Sequence, residues 1–457
     1  MDETIAALAT PLTVSAIGVI RLSGRDAVAV AGRLFTGFDG APLECCPARR
    51  MCLGKVRDPG DGCALDEALA VVFPGPDSYT GEDVVELHCH GSPPVLREIL
   101  RLLYAQGAKP AQPGEFTRRA FLNGRMDLAQ AEAVIDLISA ETADAARNAA
   151  AQLDGALGRA IGGVIQSITD ICAHFWALVD YPEEDVPHLP DTDIASVIRD
   201  GAATLRRLEA TYERGKYLRE GVPCVLVGKP NTGKSSLLNA MLGYERAIVT
   251  RQPGTTRDII VESLHIGGHW LRLSDTAGLR EAAQDEAERL GLARARRAVQ
   301  DARLLFAVLD GSETPDERDS AVLDLVSGRD AVVLVNKDDL PRRVNLDYLQ
   351  TRFKHVCPVS ALTGKGLDAL DGAVQQLLDD GKVRCDGAVL TNLRHAHSVS
   401  RAADALASAA SALAGGVTAD VVLTDLEASL FALGEITGSN LSAEIIDGVF
   451  QRFCVGK

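Results

Sequence analysis

The stretch Gly228-Lys-Pro-Asn-Thr-Gly-Lys234-Ser235 limits the fold of this chain more than any other. It stands directly after the apolar run 224–227 and directly before the apolar helical pattern 237–242. That strand–turn–helix setting is what the G-x-x-x-x-G-K-[ST] spacing needs to act as a phosphate loop. Glycines let the main chain wrap closely enough for several N–H groups to face phosphate oxygens, and the helix N-terminus adds positive potential. Asn231, Thr232, Gly233 and Ser236 complete the binding loop, Lys234 is spaced to reach β- and γ-phosphates, and Ser235 to bind Mg²⁺. An α/β unit follows, because β-rich runs at 224–227, 259–266, 270–273, 304–309, 331–335 and 356–359 alternate with helical segments. Gly267-Gly268 suits a hairpin turn between the second and third runs.

Three further pieces stand in the order that a guanine-nucleotide site requires. Asp275-Thr276-Ala277-Gly278 follows the run ending at Leu273, where Asp275 can hold Mg²⁺ through water and the Gly278 amide can sense a γ-phosphate. Asn336-Lys337-Asp338-Asp339 ends the run 331–335, and a carboxylate at Asp339 accepts from the N1 hydrogen and 2-amino group that guanine has and adenine lacks. Ser360-Ala361-Leu362 sits where a loop closes over the base. Their co-occurrence predicts GTP binding and hydrolysis. Leu279 occupies the place after the glycine where well-known small GTPases carry a water-orienting Gln, so the water must be oriented from elsewhere. No arginine finger is identifiable. The Asn231 side-chain carbonyl offers a ligand for a monovalent cation that would neutralise charge between the phosphates.

The 457 residues suffice for about three domains, and 46% hydrophobic with 24% charged residues is an ordered, globular composition. A formal charge of −16 argues against nonspecific coating of nucleic acid. The basic clusters Arg118-Arg119 and Arg294, Arg296 and Arg297 read as solvated helix faces. Ten cysteines without a CxxC pair read as reduced thiols, and with no basic leader or long apolar span the expected location is cytoplasmic, with no membrane partner. His88-Cys89-His90 invites a metal reading, but strand alternation sends the cysteine to the opposite face from the histidines and favours packing. Residues 1–117 mix strands and a helix as an α+β unit, 118–214 are Ala-rich helix with apolar stripes at 128, 131, 135, 138 and at 161, 165, 168, 171, 175, 178, the α/β unit fills 215–380, and helix returns over 381–457. That last segment is short for a core of its own, so it is expected to complete the helical domain, with the α/β unit inserted.

Beyond the phosphate loop, "DETIAALATP", "IGVIRLSG", "SYTGEDVVELHCHG", "PGEFTRRAFLNGRMDLAQAEAV", "AIVTRQPGTTRD", "DTAGLRE" and the terminal "CVGK" resemble the tRNA-modification GTPases of the TrmE-Era branch along nearly the whole chain. The resemblance implies an N-terminal folate-binding and dimerisation domain, a discontinuous helical domain and an inserted P-loop G domain. It implies K⁺-stimulated GTP hydrolysis in a homodimer. The implied product is a 5-carboxymethylaminomethyl or aminomethyl group on the wobble uridine of tRNA, made with the FAD-dependent protein MnmG (GidA). Carried to matching positions, Asn231, Thr250, Gln252 and Thr255 would surround K⁺, Ser235 and Thr256 would bind Mg²⁺, and Glu288 would orient the water, although one residue is inserted ahead of it. Arg21, Glu86, Arg125 and Lys457 would contact 5-formyltetrahydrofolate or a related one-carbon folate. Two departures are visible: Leu12-Thr13-Val14-Ser15 replaces a Gly-rich turn, and Arg125 replaces a lysine. Cys454 is either a thiol near the one-carbon unit, activated by Lys457, or a packing cysteine. A ribosome-assembly GTPase of the same branch and a non-catalytic folate or tRNA scaffold are the alternative functions.

Overall fold

The computed structural model describes residues 3–180, 190–244, 261–274, 299–378, 388–451, 453 and 455–456. The chain divides into two compact units, one of Met1–Ser139, Ala149–Arg207 and His397–Lys457, the other of Ala140–Asn148 and Leu208–Ala396.

In the first unit the strands β1 (Ile5–Leu8), β2 (Ser15–Ser23), β3 (Phe35–Gly37), β4 (Cys52–Arg57), β5 (Ala64–Phe73), β6 (Val84–Gly91) and β7 (Lys109–Pro110) form a sheet in the order β3-β4-β5-β6-β2-β1-β7. Period-two alternation sorts its faces. Ile20, Leu22, Val85, Leu87 and Cys89 turn inward with Leu96, Ile99 and Leu103 of the helix Pro93–Ala105, while Arg21, Glu86 and His88 take the opposite face. Gly18 permits this close approach, since a Cβ there would lie 2.5 Å from Leu96 Cδ1. His88 and His90 each engage a carboxylate, Glu86 at 3.2 Å and Asp66 at 2.6 Å, while Cys89 is buried between them on the other face.

This unit also holds the helices Leu128–Ile138, Ala156–Asp180, Ala419–Thr437 and Ala443–Phe450 and most of Asp191–Glu209 and Leu393–Ala414, so its sequence is discontinuous. Leu128 and Ala131 are buried, but Ile138 is exposed, and along the longest helix Val164 takes the core position expected for Ile165, which is half-buried. Arg119 corrects the reading of Arg118-Arg119 as a solvated face. Arg119 is only 2% exposed and donates to the Glu3 carbonyl and the Glu82 and Glu115 carboxylates at 2.9 Å, while Arg118 pairs with Asp447 at 2.9 Å. A buried guanidinium is tolerable because these acceptors replace its water. Arg294, Arg296 and Arg297 lie outside the described residues.

The second unit is built on β8 (Val222–Val227), β9 (Val261–Ile266), β10 (His269–Ser274), β11 (Leu304–Asp310), β12 (Ala331–Asn336) and β13 (Val356–Pro358), ordered β13-β12-β11-β8-β10-β9. All are parallel except the edge strand β9, which pairs antiparallel to β10 across Gly267-Gly268, both at positive φ as the tight hairpin requires. Both faces are covered: Cys224, Leu226, Phe306 and Leu334 pack on one side, Val225, Val227, Ala307 and Val335 on the other. Being buried on both sides explains why β11 and β12 are continuous apolar runs rather than alternating ones.

Candidate functional site

β8 ends at Val227 with β10 and β11 on either side, and crossovers leave in opposite directions from this point, where doubly wound sheets hold their ligands. The loop that follows turns tightly. Asn231 takes φ +64° and Gly233 φ +87°, and a Cβ on Gly228 would sit 2.4 Å from the Val308 carbonyl oxygen. The helix Lys234–Tyr244 starts at once, three residues earlier than its apolar pattern, and Ser235 and Ser236 are exposed in its first turn, the positive end of the helix. Lys234 Nζ donates to the carbonyls of Gly228 at 3.0 Å and Lys229 at 2.7 Å. Thr232 is buried, and its hydroxyl donates to the Lys229 carbonyl at 3.1 Å.

The second and third motifs are stitched to this loop by one side chain. Asn336, at the carboxyl end of β12 and 2% exposed, donates through Nδ2 to the Thr232 carbonyl at 2.8 Å and accepts through Oδ1 from the Ala361 N–H at 3.0 Å. Lys337 adopts φ +66°, and its ammonium meets Asp310 Oδ2 at 2.5 Å. Burial alone would raise the Asp310 carboxyl, but hydrogen bonds from Lys337 and Ser312 outweigh it and hold it below the ordinary carboxylate range. Asp339 is exposed and accepts from the buried Ser360 hydroxyl at 2.5 Å. Its neighbour Asp338 points elsewhere, bonded by Arg342 and by Lys365, and these bonds hold its carboxyl below the usual range. Leu362 is 85% exposed.

Thr250, Gln252, Thr255, Thr256, Asp275, Thr276, Ala277, Gly278 and Glu288 lie outside the described residues. Sequence reasoning overlooked Lys229, whose ammonium is 2.8 Å from the buried Asp319, and Asp310 beneath Lys337. The signal for the first was local: Asp316-x-x-Asp319 is a helix-capping pattern, and the structure confirms a reciprocal capping box there.

In the other unit, Arg21 and Glu86 are directly opposed in register across β2 and β6, with Nε to Oε1 at 2.9 Å. The Arg21 guanidinium lies over the rings of Tyr79 at 5.3 Å and Phe116 at 5.8 Å, two partners the sequence did not suggest. Arg125 is exposed and near Gly81, whose Cβ would lie 3.4 Å from Arg125 Cγ. Residues 12–14 form an exposed bend, and Ser15, also exposed, opens β2. Gly456 is pressed against the end of β1, since a Cβ there would meet the Leu8 carbonyl oxygen at 1.9 Å. Cys454 and Lys457 lie outside the described residues.

Among the described residues no helix is long and apolar enough to cross a membrane. Family comparison matches residues 4–125 to the GTP-binding protein TrmE N-terminus and residues 128–454 to the MnmE helical domain. The chain is 42% identical over the full length of both proteins to a tRNA modification GTPase MnmE from Carboxydothermus hydrogenoformans, and 43% identical, again over both full lengths, to that from Symbiobacterium thermophilum. Among solved structures, Era from Aquifex aeolicus bound to GDP and AlF4⁻ is 24% identical over 40% of this chain and 65% of that one, with a TM-score of 0.28.

Proposed function

Because the chain belongs to the MnmE family of tRNA modification GTPases, we propose that it couples GTP hydrolysis to remodelling of the wobble uridine of tRNA, adding a carboxymethylaminomethyl or aminomethyl group at carbon 5 with an FAD-dependent partner. The observation that carries the nucleotide half is the Asn336 bridge, which joins the phosphate loop to the base-side loop in one site. Lys234 exchanges its two carbonyl acceptors for β- and γ-phosphate oxygens when GTP binds, and Asp339 pairs with the guanine edge. Ser235 and Thr256 are the residues for Mg²⁺, which would spread charge off the phosphates. Asn231, which takes a positive φ, Thr250, Gln252 and Thr255 are those for K⁺. Glu288 orients the attacking water in place of the missing glutamine, and two G domains of a homodimer meet to complete the site.

For the folate half, the paired Arg21 and Glu86 beneath Tyr79 and Phe116 offer charge, a carboxylate acceptor and flat apolar surface, a set that suits a pterin-type ring. Arg125, Lys457 and Cys454 are assigned to the same ligand, a one-carbon folate that would supply the transferred carbon. The partition 1–117, 118–214, 215–380 and 381–457 and a cytoplasmic location belong to this reading.

Mass analysis of wobble nucleosides from cells lacking the chain tests the proposal. Loss of the 5-substituent, restored by the wild-type protein and not by Asp339→Asn, is expected; unchanged nucleosides would overturn it. Purified protein should turn over GTP faster in K⁺ than in Na⁺ at equal ionic strength, and equal rates would remove the cation from the mechanism.

A further inference from the structure

We propose that Lys229 is a positioning residue that holds the phosphate loop in its binding geometry by tying it to the N-terminus of the helix Glu317–Val326. This rests on the nucleotide-site reading above and adds to it a residue whose ammonium is engaged by protein carboxylates rather than by phosphate.

The lysine side chain is 9% exposed, although it belongs to a surface loop. Its ammonium lies 2.8 Å from Asp319 Oδ2, on a side chain 4% exposed, with Glu313 at 3.2 Å and Asp316 at 3.5 Å on the solvent side. The hydrogen bond to Asp319 keeps that ammonium charged well above the ordinary lysine range. Asp319 Oδ2 also accepts the Asp316 N–H at 3.1 Å, while Asp316 Oδ1 accepts the N–H groups of Arg318 at 2.9 Å and Asp319 at 3.1 Å. The helix cap and the loop lysine therefore share one carboxylate. On its backbone side the same residue offers the carbonyl that receives Lys234 Nζ and the Thr232 hydroxyl. One residue thus links the helix cap, through its side chain, to two donors of the phosphate loop, through its main chain.

Asp319 Oδ1 is buried with no hydrogen-bond partner among the described residues, so the charge of this carboxylate is balanced chiefly by Lys229. Removing one member of such a pair strands the other charge, whereas removing both does not. A stranded Asp319 must move or take up a proton, and the loop loses its anchor. Loop residues freed in this way have to be ordered again when nucleotide binds, which weakens affinity.

The test measures GDP binding by calorimetry, steady-state GTP turnover and thermal midpoint on the full chain and on Lys229→Met, Lys229→Arg, Asp319→Asn and the Lys229→Met/Asp319→Asn double variant. Lys229→Met and Asp319→Asn are each expected to raise the GDP Kd about tenfold, with the double variant no worse than the weaker single, as coupled neighbours behave. Lys229→Arg should bind within about threefold of wild type, because a guanidinium can still pair with the carboxylate. In turnover, KM should rise more than kcat falls. Strictly multiplicative effects would overturn the proposal, and so would a lower thermal midpoint with wild-type Kd measured well below it, the signature of a merely structural lysine. Should Lys229→Met fail to fold, wild-type GDP affinity in Asp319→Asn refutes the link on its own. Wild-type protein that binds no GDP would overturn the nucleotide reading and this inference with it, whereas wild-type binding with unaffected variants overturns the inference alone.

Discussion

Replacing Asn336 with Ala removes both bonds that close the nucleotide site, and the structure sets their size. The Thr232 carbonyl lies on a buried residue and would lose the Nδ2 donor at 2.8 Å, with little room for water to replace it. An acceptor left unsatisfied in that way costs about 1–3 kcal/mol. The Ala361 N–H, on a half-buried loop, can turn to solvent, so losing its 3.0 Å bond costs only the net value of an ordinary hydrogen bond, about 0.5–1.5 kcal/mol. The sum, roughly 1.5–4.5 kcal/mol, divides between folding stability and nucleotide affinity. It falls on affinity to the extent that the loosened loops must be reordered by the ligand. If all of it appeared there, GDP would bind about tenfold to about two-thousandfold more weakly.

Asn336→Asp sharpens the test, because it keeps the acceptor for Ala361 but sets a carboxylate oxygen against the Thr232 carbonyl. That variant should be worse than Asn336→Ala, since it adds a buried, unpaired charge to the lost bond. Calorimetric GDP titration and denaturant unfolding of both variants would be measured together. If Asn336→Ala changes the two free energies by less than about 0.5 kcal/mol in total, or if Asn336→Asp binds GDP more tightly than Asn336→Ala, the bridge does not hold the site together.

Gly228→Ala places a Cβ 2.4 Å from the Val308 carbonyl oxygen and 3.2 Å from Thr232 Oγ1, so initial GTP turnover should fall by about tenfold or more, as expected for overpacking a rigid contact. The Asp310 and Asp338 carboxyls are held below their unfolded values, so the stability they contribute is complete above about pH 4 and is lost as pH falls through their folded values. Thermal midpoints between pH 3 and 6 should show this, with a shallower slope in Asp338→Asn; an unchanged slope would count against the Arg342 and Lys365 bonds. Burial pushes the Cys89 thiol up to about 12 and raises Cys224 as well, whereas Cys45 and Cys63 are exposed. Alkylation of native protein at pH 8, mapped by peptide mass analysis, should therefore mark Cys45 and spare Cys89 and Cys224, and rapid modification of Cys89 would contradict its packing.

Much of the fold was legible because it is written in short-range patterns. The parallel strands of the G domain read as apolar runs ended by motif residues, and they occur where those runs are, with β9 reversed at Gly267-Gly268. The apolar stripes were legible less well. Ile138 obeys the helical period and is nonetheless exposed, because period identifies a face but not how far along the helix a neighbour continues. Arg119 failed in the opposite sense: an arginine beside another on a helix looks solvated until Glu3, Glu82 and Glu115 are brought around it.

By itself, then, the amino-acid order determined the strand and helix alternation, the tight glycine turn between β8 and the helix Lys234–Tyr244, and the placing of Asn336–Asp339 at the end of β12, all of which depend on spacing within a few residues. Tertiary structure alone decided the Asn336 bridge to Thr232, the Lys229 anchor on Asp319 and the pairing of Arg21 with Glu86 beneath two aromatic rings. These partners lie 104, 90 and 65 residues apart in the chain. No local preference encodes such contacts: they exist only once burial of the two sheets has met the entropy of closing those long loops, and the same burial turns an ordinary side-chain charge into one that must find its partner.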